Sequence, residues 1–256
     1  DIPNCSMGPS FSAAGAEAAF LSVYHAMLPG KRTFLHPCPL TSARRAGMVE
    51  KKPEGGNIAM LYPFNALLAR MKYITRWSLM HSTRAESLSE HTCDTALLAH
   101  TLCLIARRYT GTPCRPKTVA VAALYHDAPE IITGDLPTPV KYHSATLRDA
   151  YKAMERESVA SMTAMLPDEL AEEVAPFLTG ELLTAEETKL LKAADRLSAL
   201  VKCLEEQRSG NHEFDAALAQ QKAVLEAMHC PEADWFMAHC LPCYTQNLDE
   251  LTRQDG

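Results

Sequence analysis

The sequence predicts an all-α fold. Three observations carry that expectation. Apolar residues recur at spacings of three and four from Met60 onward, two segments open on helix capping boxes, and no stretch alternates apolar with polar residues as a half-buried strand does. Neither an internal repeat nor a Gly-rich phosphate loop interrupts the pattern.

Residues 1–59 stand apart as a loop-rich extension ("MGPSFSAAG", "HPCPLTSARRAG", "KKPEGG"), with one short helical stretch near Ala13–Leu28. Their opening lacks a basic n-region and carries Glu17 and His25, so it does not read as a signal peptide. Met60 heads the first well-patterned segment and is a candidate start of translation. From there "FNALLARMKYI" has helical spacing, and "SLSEHTCDTALLAHTLCLIARRY" begins with the box Ser87/Glu90 and stripes Leu98, Leu102 and Ile105. "RPKTVAVAALYHD" reads as a shorter buried helix with Pro116 in its first turn. "SATLRDAYKAMERESVASMTAML" is long and amphipathic. "TAEETKLLKAADRLSALVKCLEEQR" opens on Thr184/Glu187 and stripes Leu190, Ala194, Leu197, Val201 and Leu204. Helical stretches at about Glu213–Met228 and Asp234–Leu241 close the series.

Composition narrows the function classes. At 256 residues, 47% hydrophobic and 22% charged, the chain has the make-up of a globular protein able to bury a real core. No run reaches the roughly 18 apolar residues of a membrane helix. Nine scattered cysteines, an odd number, suggest reduced thiols in the cytoplasm. Charge is uneven: residues 1–59 carry six basic and four acidic groups, whereas 60–256 carry 19 and 27. So acidic a body argues against a nucleic-acid partner but allows a small anionic substrate where a metal and a few cations dominate locally.

The residues with chemistry are few. His126 and Asp127 are adjacent, and neighbours on a helix diverge by about 100°. Pro129 ends or kinks the helix there, so that one metal ion becomes reachable from both side chains. Glu130, four residues after His126, could point back at the same place as a proton carrier. His91 sits in the first turn of its helix. Asp195 lies mid-helix on a face shared with Leu191 and Ser198, where a carboxylate is unfavourable unless something neutralises it. Two imidazoles and two carboxylates form a donor set suited to Mn, Fe, Co or Zn, with positions open for water and substrate. Read one at a time, each has a bland alternative: surface imidazole for His91, salt-bridge partner for Asp195, surface acid for Glu130, surface ion pair for Arg76, core anchor for Trp77, turn cap for Asp135.

Together these residues resemble the HD superfamily of metal-dependent phosphohydrolases, whose pattern is H…HD…D, and within it the bacterial 5'-deoxynucleotidase family. "ITRWSLM" (Ile74–Met80), "ESLSEHT" (Glu86–Thr92), "YHDAPEIITGDLPTPVKY" (Tyr125–Tyr142), "KAADRLSALVKCLEE" (Lys192–Glu206) and "GNHEF" (Gly210–Phe214) carry the resemblance. It spans nearly all of 60–256 and none of 1–59. Pro129 departs from the pattern, where other members often carry Ser. The resemblance implies an HD-domain bundle of about six to eight helices and the hydrolysis of deoxyribonucleoside 5'-monophosphates, with selection against ribonucleotides. It implies His91, His126, Asp127 and Asp195 as ligands of a divalent metal (Co, Mn, Zn or Fe) and Glu130 as the catalytic glutamate. It makes Arg76 the residue that orients phosphate and Trp77 the one that crowds the sugar's 2' position. Asp135, Leu136, Pro137 and Thr138 become a substrate-contacting loop, and the assembly a homodimer.

Two other functions remain open from sequence alone. One is an HD phosphohydrolase for nucleoside triphosphates or signalling nucleotides, which would call for more cations than Arg76 and Lys141. The other is a non-catalytic HD scaffold, for which eroded ligands would be expected. "CLPC" (Cys240–Cys243) resembles half a zinc site without a second half, so structural zinc is not expected there.

Overall fold

The computed structural model describes residues 60–141 and 143–253, with the side chain of Thr138 outside that description. The extension expected at 1–59 therefore lies outside the described residues. Eleven α-helices are present among the described residues, seven of them nine residues or longer, and there is no strand. In order they are α1 (Phe64–Leu68), α2 (Leu88–Ile105), α3 (Pro116–Tyr125), α4 (Glu130–Thr133), α5 (Thr138–Lys141) and α6 (Ala145–Thr163), then α7 (Asp168–Thr179), α8 (Ala185–Arg208), α9 (Asp215–Ala227), α10 (Pro231–His239) and α11 (Leu248–Thr252). None is long and apolar enough to cross a membrane.

The helix starts follow local chemistry. Ser87 accepts from the Glu90 amide while the Glu90 carboxylate accepts from the Ser87 amide, and Thr184 and Glu187 repeat the arrangement on α8. Each box satisfies two amide donors that an uncapped helix leaves to water. Pro116 occupies the first turn of α3, where its missing N–H costs nothing.

The core runs along α2, α3 and α8. Leu98, Leu102 and Ile105 of α2, Val119 and Ala123 of α3, and Leu190, Ala194, Leu197 and Leu200 of α8 are all buried in one cluster. Phe214, Leu218 and Leu225 close it from one side and Phe236 from another. A second, smaller cluster of Phe64, Ala128, Met162 and Leu178 packs α1, α6 and α7 beneath the turn that follows α3.

Four details depart from the sequence expectation. The eleven helices among the described residues exceed the six to eight expected, because α1, α4, α5 and α11 are pieces of only four or five residues. The segment "FNALLARMKYI" is α-helical only to Leu68 and tightens to a 3-10 helix over Ala69–Tyr73. α2 ends at Ile105 and continues as a π-turn over Ala106–Thr110, closed by Gly111. The helix α7 was not anticipated. Pro167 precedes it, Pro176 lies inside it, and its acidic "DELAEE" start hides a face on which only Leu178 is fully buried.

Candidate metal and phosphate site

The site forms where α2, α3 and α8 converge, because each delivers one or two polar groups from an otherwise apolar face. His91 projects from α2 and is completely buried. His126 caps the C-terminus of α3, and the chain turns sharply at Asp127–Pro129 before α4 begins. That break, expected from Pro129, lets adjacent side chains meet: His126 Nε2 lies 3.1 Å from Asp127 Oδ2. Asp195 enters from the middle of α8, with Oδ1 3.2 Å from His91 Nε2, which is itself 3.4 Å from Asp127 Oδ2. One ligand atom each from His91, His126 and Asp195 falls within 4.8 Å of the others, and Asp127 adjoins both imidazoles. The four residues singled out from sequence are thus together.

The donor set can be tested for its fit to a cation. Nε2 of His91 and Nε2 of His126 are buried and have no hydrogen-bond partner. Each ring is held from its far side. His126 Nδ1 is 2.6 Å from the Ala123 carbonyl, which can only accept, so the proton sits on Nδ1 and Nε2 of the neutral ring offers a lone pair. His91 Nδ1 is 3.0 Å from Ser198 Oγ, one turn beyond Asp195 on the same helix. Burial opposes charge on the His126 ring, yet Asp127 and Asp195 beside it prevail and raise its pKa to about 9. Burial likewise opposes ionisation of Asp127 and Asp195, and the two imidazoles hold both carboxyls below their ordinary range. A place where carboxylates draw protons onto unpaired imidazole nitrogens attracts a divalent cation for the same reason. The residues fit the metal.

Around this centre lie further charged and polar groups. Arg76 Nη1 is 3.5 Å from Asp127 Oδ2, and its Nε is 3.4 Å from Glu86 Oε2. Burial opposes the guanidinium charge, but Glu86, Asp127, Asp195 and Asp135 more than offset it and keep the group firmly protonated. Glu130 is buried, with one carboxylate oxygen lacking any partner. Burial, reinforced by Asp127 and Asp135, pushes its carboxyl up to about 9, so it holds a proton at neutral pH. Trp77 follows Arg76 with φ of 59°, a left-handed conformation that a bulky residue adopts only under restraint. Its indole N–H donates to Glu86 Oε2 at 2.8 Å, and its ring meets Phe214 edge-on at 5.3 Å.

The substrate loop expected at 135–138 follows Gly134, whose φ of 76° with ψ of 156° is open to glycine almost alone. The Gly134 carbonyl accepts from Tyr151 Oη at 3.2 Å, which ties the loop to α6. Asp135 is half-buried and faces the site's charges: burial raises its pKa while Arg76 pulls the other way. Leu136 and Pro137 are half-buried in the same loop, where the Pro137 carbonyl accepts from the amides of Val140 and Lys141. The side chain of Thr138 lies outside the described residues.

Sequence reasoning passed over the residues that hold these groups in place. On α8 the positions Asp195, Ser198, Lys202 and Glu206 follow one another at helical spacing on one face, the last three buried and Asp195 partly so. Glu206 accepts from the amide and hydroxyl of Thr83, both at 2.8 Å, and pairs with Lys202. Lys202 Nζ donates to the Arg84 carbonyl, and Asn211 donates to the His81 carbonyl and to Glu206. The same helix that contributes Asp195 therefore fastens the 81–84 loop, which leads into Glu86. Four polar residues on one stripe of a helix with an apolar core was the signal available in the sequence.

The family model described as 5'-deoxynucleotidase YfbR-like matches residues 63–244. The chain belongs to that family. Curated YfbR-like relatives include a 5'-deoxynucleotidase of Photorhabdus laumondii, 44% identical over 189 residues, which cover 74% of this chain and 96% of the relative. The 5'-deoxynucleotidase YfbR of Shigella flexneri serotype 5b is 42% identical over 190 residues, again 74% and 96%. Among solved structures, an HD-domain phosphohydrolase from Listeria innocua superposes with a TM-score of 0.62 at 22% identity, over 71% of this chain and 87% of that one. A metal-dependent phosphohydrolase, so described from prediction, from Magnetospirillum magnetotacticum gives 0.50 at 23%, over 68% and 86%. The YfbR-like chain thus has the HD-type helical fold that its motifs led one to expect.

Proposed function

We propose that the protein hydrolyses deoxyribonucleoside 5'-monophosphates to deoxynucleosides and inorganic phosphate, and discriminates against ribonucleotides. The observation that carries this reading is the pair of unpaired, buried imidazole nitrogens facing two carboxylates, with one guanidinium and one buried glutamate alongside. Membership of a family named for 5'-deoxynucleotidase activity supports the choice of substrate.

In this reading His91, His126, Asp127 and Asp195 hold a divalent ion, whose chemistry when bound is to acidify water and neutralise phosphate oxygens. Arg76 binds the phosphate, for which its planar fork of donors is better shaped than an ammonium. Its salt bridge to Asp127 keeps that fork at the ligand cluster before substrate arrives. Cleavage leaves negative charge on the 5' oxygen of the sugar. Glu130 holds its proton in a buried setting and supplies it to that oxygen. Trp77 fills the space where a 2'-hydroxyl would lie, and the loop of Asp135, Leu136, Pro137 and Thr138 contacts the substrate. Within the same reading the enzyme is a homodimer, as the resemblance implies, and cytoplasmic, as its odd and scattered cysteines suggest.

A triphosphatase would need further cations for the additional phosphates. Lys141 is engaged with Glu155 at 3.1 Å and lies over the Tyr151 ring, which leaves Arg76 as the site's basic group among the residues named. The test is phosphate release from a deoxynucleoside monophosphate and from its ribo counterpart, with pyrophosphate followed from triphosphates. Phosphate from the deoxy substrate, and little from the ribo one, is expected. Equal rates on both would remove the role given to Trp77, and pyrophosphate release would favour the triphosphatase.

A further inference from the structure

Glu86 has no part in the chemistry just described, yet it touches both residues on which substrate choice would depend. Its Oε2 accepts from Trp77 Nε1 at 2.8 Å and lies 3.4 Å from Arg76 Nε. It is buried, 7% exposed, so water does not compete for these contacts. The backbone supports the same arrangement: the Arg76 amide donates to the Glu86 carbonyl at 2.9 Å, and Thr75 and Ser87 form an isolated bridge beside it. Trp77 meanwhile sits in a left-handed conformation that costs energy and must be held from outside. Phe214 meets the ring by its edge, and the indole N–H of Trp77 has one acceptor, Glu86.

We propose that Glu86 is a positioning residue for sugar selectivity, a single carboxylate oxygen that fixes the Trp77 wall and the Arg76 phosphate fork in register. This rests on the deoxynucleotidase reading above. The indole N–H needs an acceptor at that place, which an uncharged amide oxygen also supplies, whereas the buried Arg76 Nε makes no hydrogen bond and is drawn to the carboxylate by charge across 3.4 Å. With the whole group removed, wall and fork move independently. A ribose 2'-hydroxyl gains room when Trp77 turns, and the deoxy substrate loses alignment when Arg76 swings.

The test compares Glu86→Gln with Glu86→Ala, each carried also in a Trp235→Phe background. The chain has two tryptophans, so Trp77 is then the only one and its fluorescence reports its own surroundings. In Glu86→Ala the ratio of kcat/KM for deoxy over ribo substrate is expected to fall by roughly tenfold or more, as a displaced site group typically costs. Trp77 emission should shift and become more open to acrylamide quenching. Glu86→Gln should retain the ratio and the emission, because the amide oxygen still accepts from the Trp77 indole, while kcat/KM falls alike on both substrates because the charge that draws Arg76 is gone. Unchanged emission and ratio in a folded Glu86→Ala protein would overturn the proposal, as would equal loss of the ratio in both variants. Emission that changes without any change in the ratio would overturn the claim on selectivity. A wild-type enzyme with no sugar preference would instead defeat the reading of the site, while the fluorescence would still decide whether Glu86 holds Trp77.

Discussion

Ser198→Ala is the perturbation whose consequence can be worked furthest from the structure. Ser198 is 4% exposed, and its Oγ lies 3.0 Å from Nδ1 of His91, a ring with no exposed surface at all. Water cannot replace the lost hydroxyl at a fully buried nitrogen without opening the helix contact. Leaving one buried polar atom unsatisfied costs about 1–3 kcal/mol of folding stability. The metal should feel the change separately. Once Nδ1 is unheld, the ring turns more freely and Nε2 loses the polarisation that makes it a good donor. Loss of such a supporting contact weakens metal affinity by roughly 10–100-fold. Urea denaturation measures the first quantity, and competition against a chromogenic chelator for Zn or Mn measures the second. Reduced stability with unchanged metal affinity would refute the claim that Ser198 orients a ligand, and no change in either would refute the contact itself.

Three other outcomes follow from the same geometry. Glu130→Ala should bind deoxynucleotide with near-normal affinity and turn it over roughly 10²–10⁴-fold more slowly, as single-turnover phosphate release can show. Lys202→Met leaves Glu206 charged and 1% exposed without its cation, which should cost about 3–5 kcal/mol by chemical denaturation and loosen the 81–84 loop. Glu187 is held at about 2 by its hydrogen bonds to Arg115, against an ordinary 4.5, so its contribution to stability is present above pH 4.5 and is lost as pH falls toward 2. Across that window, urea midpoints of the wild type should fall more steeply than those of Glu187→Gln.

Legibility from sequence differed by physical cause. The capping boxes of α2 and α8 were readable because their partners are three residues apart and head long apolar-striped helices, whereas a third, Asn247 with Glu250, heads a five-residue helix and was passed over. The break at Pro129 was readable because proline acts on its own neighbours. His91, His126, Asp127 and Asp195 were readable as a set because the motif preserves their types and order, although spacing alone does not bring residues 91 and 195 together. The fastenings were not readable. Ser198 to His91, Glu206 to Thr83 and Asn211 to His81 join positions more than a hundred residues apart, and no local pattern encodes such pairs. Trp77 gave no sign of its left-handed backbone, since tryptophan carries none of glycine's license for it. Helix α7 was hidden by its two prolines and thin apolar face, its stability coming from packing on α6 and α3.

The central claim is a divalent ion held by His91, His126, Asp127 and Asp195 and required for phosphate release. Protein stripped with a chelator, assayed on a deoxynucleoside 5'-monophosphate and then reloaded with Mn, Co or Zn, tests it most directly. The account predicts no turnover after stripping, recovery on reloading, and no recovery in folded Asp127→Asn. Full turnover by the stripped protein, or full recovery in that variant, would contradict it.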